Sequence, residues 1–197
     1  AIDALSEILA VLPSDYPVPI AVVVHIPRDQ PSLLSDVFTT RCTLAVHEAI
    51  DKEPFAPGTV VFAAPDYHLL VDRVAGSAPT LALDAEGLVH FSRPSIDVLF
   101  ESAADTLGAR AAAVLLSGAN DDGAAGTAAI ARAGGLVIVQ DPATSSSREM
   151  PSSSLAALAA AGLAPPIVLG PRGIGAALAV LGEARARMQQ EQTGEEP

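Results

Sequence analysis

The sequence has little positive charge. Its 197 residues include 11 Lys and Arg against 23 Asp and Glu, so the net charge is −12, and Lys52 is the single lysine. Affinity for nucleic acids depends on Lys and Arg side chains that neutralise phosphates. This charge balance therefore argues against a nucleic-acid partner, and it disfavours acidic partners in general.

Cysteine and long apolar runs are also scarce. Cys42 is the single cysteine, which excludes an internal disulfide and is typical of a protein from a reducing cytosol. No apolar run approaches the roughly 18 residues of a membrane span. The first residues lack the charged, apolar and small-residue parts of a signal peptide. We therefore expect a cytoplasmic protein without membrane insertion.

What the sequence does have is enough apolar material for a core. Hydrophobic residues make up 50% of the chain and charged residues 17%, which excludes a disordered acidic chain. The length corresponds to a single domain that needs no disulfide or metal to fold. We predict one domain over residues 1–188, followed by a polar acidic tail over residues 189–197.

Short apolar runs alternate with helical patterns along the chain. Strands are predicted at 20–24, 43–48, 59–63, 67–71, 80–84, 88–91, 111–116, 136–140 and 166–169. Helices are predicted at 1–12, 31–40, 94–107, 123–133, 151–161 and 173–188. Strands 111–116 and 136–140 flank a helix and form a βαβ unit. The predicted fold is a three-layer αβα sandwich with a mainly parallel, doubly wound sheet and a small antiparallel hairpin, in which strand 80–84 pairs with 88–91.

The chain begins with a helix rather than a strand. Leu5, Ile8, Leu9 and Leu12 lie on one face of this predicted helix. A doubly wound fold normally begins with a strand whose carboxyl-end loop leads into the first helix. We therefore expect the natural protein to carry such a strand and loop upstream of Ala1.

Two side chains of complementary chemistry follow predicted parallel strands. His25 comes directly after strand 20–24, and Asp122 lies in the polar turn after strand 111–116. Open α/β sheets bind ligands at the carboxyl ends of their strands. In such a pair the carboxylate orients the imidazole, which then works as a general base.

Simpler interpretations of both residues remain open. Asp122 could cap the helix that follows it, and His25 could be a half-buried histidine with its bonds satisfied. A His–Asp pair also needs a nucleophile or a metal, and the chain contains no Gly-x-Ser-x-Gly segment. The four histidines show no metal-ligand spacing: His25, His47, His68 and His90.

Several collinear motifs resemble the catalytic domain of the CheB-type protein-glutamate methylesterases of bacterial chemotaxis. They are Val23-Val24-His25-Ile26-Pro27, Glu48-Ala49, Pro57-Gly58-Thr59, Ala64-Pro65-Asp66-Tyr67-His68, Arg93-Pro94-Ser95-Ile96-Asp97-Val98-Leu99-Phe100, Leu116-Ser117-Gly118 with Asp122-Gly123-Ala124-Ala125-Gly126, Gln140-Asp141 and Met150-Pro151. The resemblance extends to about residue 175. It implies a serine-type esterase that hydrolyses glutamyl methyl esters on chemoreceptors and deamidates certain receptor glutamines, without a cofactor.

The resemblance also implies roles for individual residues. His25 would be the general base, Asp122 its orienting acid, and the backbone N–H of Ala119 part of the oxyanion hole. The nucleophilic serine would lie a few residues upstream of Ala1. Arg93 could bind the substrate, although a structural tie between loops is the alternative for an Arg-Pro pair.

Departures from the family pattern bear on which substrate is used more than on the catalytic chemistry. Ala119 replaces a frequent Met, and Arg148-Glu149 replaces small or aromatic residues. The 197 residues include no receiver domain, and we expect a stand-alone or hybrid relative. Two other functions remain open: a non-catalytic, esterase-like binding module of bacterial signalling, and a metal-dependent hydrolase with His25 and Asp122 as ligands.

Overall fold

The computed structural model describes residues 1–25 and 32–193. The helices in this part are α1 (Ile2–Leu9), α2 (Leu34–Thr39), α3 (Ile96–Leu107), α4 (Ala124–Arg132), α5 (Glu149–Ala160) and α6 (Pro171–Thr193). The strands are β1 (Ile20–Val22), β2 (Ala45–Glu48), β3 (Thr59–Phe62), β4 (His68–Asp72), β5 (Thr80–Asp84), β6 (Ala112–Leu115), β7 (Leu136–Gln140) and β8 (Ile167–Leu169). A 3-10 turn, Gly108–Arg110, links α3 to β6.

Alternating side chains of β7 build the layers. Val137 and Val139 pack into a core cluster with Leu158 of α5. Ile138, between them, packs against α1 and α6 through Ile8 and Ile174. Because successive side chains of a strand point to opposite faces, the three consecutive apolar residues of β7 bury both faces of the sheet.

The same alternation in β3 places helices on both faces of the sheet that contains β3. Val60 and Phe62 pack with Phe38 of α2, whereas Val61 packs in the cluster that contains Leu99 of α3. The rings of Phe38 and Phe62 lie 5.2 Å apart between centroids. Helix α3 also contributes Ala104 to the cluster of β6 and β7, so one helix covers parts of both sheets.

The strands form two parallel sheets and one antiparallel pair. The first sheet has the order β2-β3-β1, the second has the order β6-β7-β8, and all their pairings are parallel. Strands β4 and β5 are antiparallel. The predicted αβα sandwich is therefore confirmed, with α3, α4 and α5 on one side of the second sheet and α1 and α6 on the other.

Some predicted elements differ from the structure. The predicted strand at 88–91 is wrong: β5 pairs with β4, and residues 89–92 form a tight two-residue turn. Apolar residues in that segment suggested a strand, but the partner of β5 precedes it in the chain. Helix α2 begins at Leu34, and Pro31, its predicted start, lies outside the described residues.

The carboxyl-terminal helix runs further than the sequence predicts. Helix α6 continues to Thr193, so it crosses the boundary predicted between the domain and the tail at residue 188. The division into a domain and a tail stays a prediction. Over the two ranges that the structure describes, none of the helices combines the length and the apolar character that a membrane crossing requires.

Candidate active site

The carboxyl ends of β1 and β6 bring His25 and Asp122 into contact. His25 follows β1, Asp122 follows β6, and the imidazole Nε2 lies 2.7 Å from the carboxylate Oδ2. The His25 side chain is 28% exposed, whereas that of Asp122 is fully buried. The two residues chosen from the sequence therefore form a hydrogen-bonded pair with one ring accessible to solvent.

Four donors surround the Asp122 carboxylate. Its Oδ1 accepts hydrogen bonds from Ser95 Oγ at 2.7 Å and from the backbone N–H of Asp97 at 2.9 Å. Its Oδ2 accepts from the backbone N–H of Ile96 at 2.7 Å and from His25. Each oxygen thus has two partners, which leaves the buried charge fully satisfied.

Two opposing effects determine the pKa of Asp122. Burial by itself raises this pKa, because the charged form loses water. The hydrogen bonds from His25, from the backbone of Ile96 and Asp97, and from Ser95 outweigh burial and hold the pKa below its usual value of 3.8. Asp122 is therefore ionised at neutral pH and stabilises a positive charge on the neighbouring imidazole.

The bond to Asp122 also determines which nitrogen of His25 can accept a proton. The ionised carboxylate can only accept, so Nε2 carries the hydrogen of this pair. In the neutral ring the lone pair is then on Nδ1. This nitrogen is therefore the one that is able to accept a proton.

Asp122 caps a different helix from the one that follows it. The backbone N–H groups that it accepts belong to Ile96 and Asp97, in the first turn of α3. The N-cap residue of α4 is Gly123, which has no side chain to cap its own helix. The alternative that Asp122 caps its own helix is therefore wrong, because the carboxylate points across the interface to α3.

Helix α4 is capped in turn by a residue of α3. Asp97 Oδ1 accepts a hydrogen bond from the backbone N–H of Gly126 at 2.6 Å. Burial raises the pKa of Asp97, and the neighbouring charge of Asp122 adds to this, although the bond from Gly126 acts in the opposite direction. The two helix starts thus exchange carboxylate caps beside the His25–Asp122 pair.

Ser95 and His68 support Asp122, a role that their sequence motifs do not reveal. The buried His68 Nδ1 accepts from the backbone N–H of Ser95 at 3.2 Å, and His68 Nε2 donates to the carbonyl of Gly87 at 2.9 Å. A serine at a helix start predicts a cap. Nothing in the local sequence indicates that its hydroxyl donates to a carboxylate 27 positions along the chain.

The predicted oxyanion residue lies on a loop that is held at two points. Gln140 Oε1 accepts from the backbone N–H of Ser117 at 3.0 Å, and the carbonyl of Gly118 accepts from the backbone N–H of Met150 at 3.0 Å. Ala119, the next residue, is exposed. Asn120 Oδ1 is buried and has no hydrogen-bond partner among the residues that the structure describes. The role of the Ala119 N–H stays a prediction.

The guanidinium of Arg93 is engaged by protein acceptors. Its Nε and Nη2 donate to Asp66 Oδ1 at 3.1 and 2.9 Å, and its Nη1 donates to the carbonyls of Ala85 and Glu86. These bonds tie the β3–β4 turn to the segment after β5, as the structural alternative requires. A substrate-binding role for Arg93 stays a prediction.

The remaining histidines, His47 and His90, also lie beside carboxylates. His47 Nε2 lies 2.8 Å from Glu53 Oε2, and His90 lies 3.4 Å from both Asp97 and Asp121. Within residues 1–25 and 32–193, no three His, Cys, Asp or Glu side chains group as metal ligands.

Known proteins are similar to this chain in both sequence and fold. The sequence model of the CheB methylesterase family matches residues 1–172. The crystal structure of the Thermotoga maritima CheB methylesterase catalytic domain superposes with a TM-score of 0.84 at 30% identity, covering 91% of this chain and 92% of that one. The 30% identity and the match of the family model over most of the chain together indicate common descent as well as a shared fold.

Curated relatives match over part of their length. A relative from Leptospira interrogans is 38% identical over 119 residues, which are 60% of this chain and 60% of that protein. Protein-glutamate methylesterase/protein-glutamine glutaminase 5 of Myxococcus xanthus is 37% identical over 115 residues, 58% of this chain and 33% of that protein. The matched part thus spans between a third and 60% of these relatives.

Proposed function

Because this chain belongs to the CheB methylesterase family, we propose that it hydrolyses glutamyl methyl esters on chemotaxis receptors. The 2.7 Å bond between His25 Nε2 and the buried Asp122 carboxylate carries the proposal. Such a pair supplies the base and the orienting acid of a serine esterase. The same groups would act on a glutamine side-chain amide, which releases ammonia in place of methanol.

The nucleophile in this proposal is a serine upstream of Ala1. In the described part of the chain, β1 pairs with β3 alone and β6 with β7 alone. The His25–Asp122 bond puts the carboxyl ends of β1 and β6 at the same edge. A parallel strand between them would join the two sheets, and the loop after it would begin beside His25.

Acylation follows from the protonation states of the pair. The serine hydroxyl gives its proton to His25 Nδ1 while its oxygen attacks the ester carbon. The Asp122 carboxylate stabilises the imidazolium that forms, and a backbone N–H at Ala119 stabilises the oxyanion. The imidazolium then protonates the departing methoxide, which leaves as methanol.

Deacylation repeats these steps with water. His25 Nδ1 takes a proton from a water molecule, whose oxygen attacks the acyl carbon of the glutamyl-serine ester. The proton then returns to the serine oxygen as the C–O bond breaks. The products are a glutamate carboxyl group on the receptor and the regenerated serine, and no metal or organic cofactor takes part.

Methanol release from a methylated chemoreceptor fragment tests the proposal in the natural full-length protein. We expect His25→Ala to abolish release and Asp122→Asn to lower it by about three to four orders of magnitude, because the amide no longer selects the required tautomer. His47→Ala is the matched control, since His47 also bonds a carboxylate, that of Glu53, but is not part of the His25–Asp122 pair.

The control should release methanol at the wild-type rate. A folded His25→Ala protein that retains wild-type hydrolysis would disprove the proposed role of the pair. A natural protein that binds the methylated fragment without releasing methanol would instead support the binding-module alternative.

A further inference from the structure

A tight turn ahead of α3 presents His90 to the loop after β6. The backbone N–H of Val89 donates to the carbonyl of Ser92 at 3.1 Å, and the N–H of Ser92 donates to the carbonyl of Val89 at 2.8 Å. His90, between them, has a φ of 48°, in the left-handed region that histidine adopts more readily than most residues. Its side chain is 42% exposed, so more than half of its surface is covered by the protein.

Each ring nitrogen of His90 faces a carboxylate from a different element. Nε2 lies 3.4 Å from Oδ2 of Asp97 in α3, and Nδ1 lies 3.4 Å from Oδ1 of Asp121 in the loop after β6. An ionised carboxylate only accepts hydrogen bonds, and a neutral imidazole carries a hydrogen on one nitrogen. The charged ring, with a hydrogen on each nitrogen, is therefore the form that suits both neighbours.

The two carboxylates belong to residues that hold Asp122 and the start of α4. The backbone N–H of Asp97 donates to Asp122 Oδ1 at 2.9 Å, and Asp97 Oδ1 accepts from the backbone N–H of Gly126 at 2.6 Å. Asp121 directly precedes Asp122, and its carbonyl accepts from the backbone N–H of Ala124 at 3.1 Å. A bridge between Asp97 and Asp121 thus fastens both sides of the interface in which the Asp122 carboxylate is buried.

Negative charge is concentrated at this interface. Burial raises the pKa of Asp97, and the charges of Asp122 and Glu101 raise it further. The neighbouring His90 acts in the opposite direction, as does the hydrogen bond from the start of α4. Asp122 has His25 as its counter-charge, and His90 has the same relation to Asp97. The interface therefore contains two neighbouring His–Asp pairs.

We propose that His90 is a positioning residue of this site: its charged ring bridges Asp97 and Asp121 and so holds the loop after β6 against the start of α3. This role rests on the proposed function and adds to it a residue that acts through its neighbours. Without the bridge, Asp97 and Asp121 are uncompensated charges on either side of Asp122, and their repulsion displaces the loop. The rate of hydrolysis therefore depends on the charge of His90.

His90→Asn in the natural full-length protein removes the charge and keeps the turn, because asparagine adopts the left-handed region readily. Histidine side chains change charge between these conditions, so rates are compared at about pH 6 and about pH 8.5. At the lower pH, kcat for N-acetylglutamate γ-methyl ester should fall about threefold to tenfold with KM little changed, because catalytic groups are displaced and substrate binding is not. At the higher pH the two proteins should have similar rates, since the wild-type bridge is lost there too.

His90→Arg tests whether the charge itself is required. Arginine stays charged over this range and can contact two carboxylates at once. This variant should have the wild-type rate at the lower pH and exceed it at the higher pH. His47→Asn is the matched control, because His47 also lies beside a carboxylate, that of Glu53, and its side chain is 37% exposed. It should follow the wild type at both pH values.

Thermal unfolding tests the bridge without reference to catalysis. A contact that needs the imidazolium stabilises the folded protein in mild acid and loses this effect as pH rises through the range in which histidines lose their proton. The melting temperature of the wild type minus that of His90→Asn should therefore be larger at the lower pH. Asp121→Asn removes one partner of the bridge, so at the lower pH the double variant should lose less than the sum of the two single variants.

Two kinetic results would overturn the proposal. One is a His90→Asn protein that hydrolyses the small ester at the wild-type rate at the lower pH, or is slower by the same factor at both pH values. The other is a folded His90→Arg protein that is no faster than His90→Asn at the lower pH. A wild type that does not hydrolyse the small ester would refute the proposed function instead. The melting temperatures would then decide the bridge, which an equal difference at both pH values would refute.

Discussion

Asp122 shows how a buried charge is stabilised at the scale of a single residue. Its carboxylate is removed from water, yet four donors keep its pKa below the usual value. The sequence indicated Asp122 and His25 as candidates, because both follow predicted parallel strands and both lie in motifs that resemble the family. The donors from Ser95, Ile96 and Asp97 could not be predicted, because they depend on how α3 packs against the loop after β6.

Ser95→Ala removes one donor from this carboxylate. The bond between Ser95 Oγ and Asp122 Oδ1 is buried and 2.7 Å long, so its loss should lower the free energy of unfolding by about 1.5–3 kcal/mol at pH 7. Urea denaturation of the natural protein measures the change. Ser152→Ala, at an exposed position of α5, is the control and should have little effect.

The effect of Ser95→Ala should depend on pH. Because the folded-state pKa of Asp122 is depressed, its stabilising contribution is present above the unfolded value of about 3.9 and is lost as pH falls through the folded-state pKa. The difference between wild type and Ser95→Ala should therefore shrink as the solution is acidified below about pH 4. An equal difference at pH 7 and in acid would show that Ser95 does not act through the ionised Asp122.

At the scale of elements, α3 and α4 stabilise each other's first turn. Asp122 accepts from the start of α3, and Asp97 accepts from Gly126 at the start of α4. The sequence predicted both helices to within a few residues, since each has an apolar face and a turn signal at its start. It did not predict the exchange of caps, because each bond joins positions 25 or more residues apart.

Gly126→Ala tests the close approach of these two helices. An added Cβ would lie 2.6 Å from Cβ of Phe100 and 3.1 Å from Cα of Asp97. The helices would have to separate, so we expect a loss of about 1–3 kcal/mol in the free energy of unfolding. The rate of ester hydrolysis should fall as well, because a shift of Asp97 would disturb the hydrogen bond that its backbone N–H donates to Asp122.

Gly87→Ala is the control for this prediction. An added Cβ at Gly87 would meet nothing within 4 Å, and its φ is not in the left-handed region. Thermal unfolding of both variants makes the comparison. A Gly126→Ala protein as stable and as active as Gly87→Ala would contradict the account of this interface.

At the scale of the whole molecule, the sequence predicted the layers better than the pairing of strands. Consecutive apolar residues in β7, flanked by helices, indicated a sheet covered on both faces, and the structure confirms this. The strand predicted to pair with β5 was wrong, because antiparallel pairing depends on which segments meet in the folded chain. The strand that pairs with β5 is β4, and residues 89–92 form a turn beside the site.

The two parallel sheets share α3, and the His25–Asp122 bond joins their carboxyl ends. This arrangement leads to the central claim, that a serine from an upstream strand completes a catalytic triad with His25 and Asp122. Labelling of the natural full-length protein with a fluorophosphonate, followed by mass spectrometry, tests the claim most directly. We predict one adduct, on a serine upstream of Ala1, that is lost in His25→Ala. A folded protein that contains the upstream segment and forms no adduct would contradict the account.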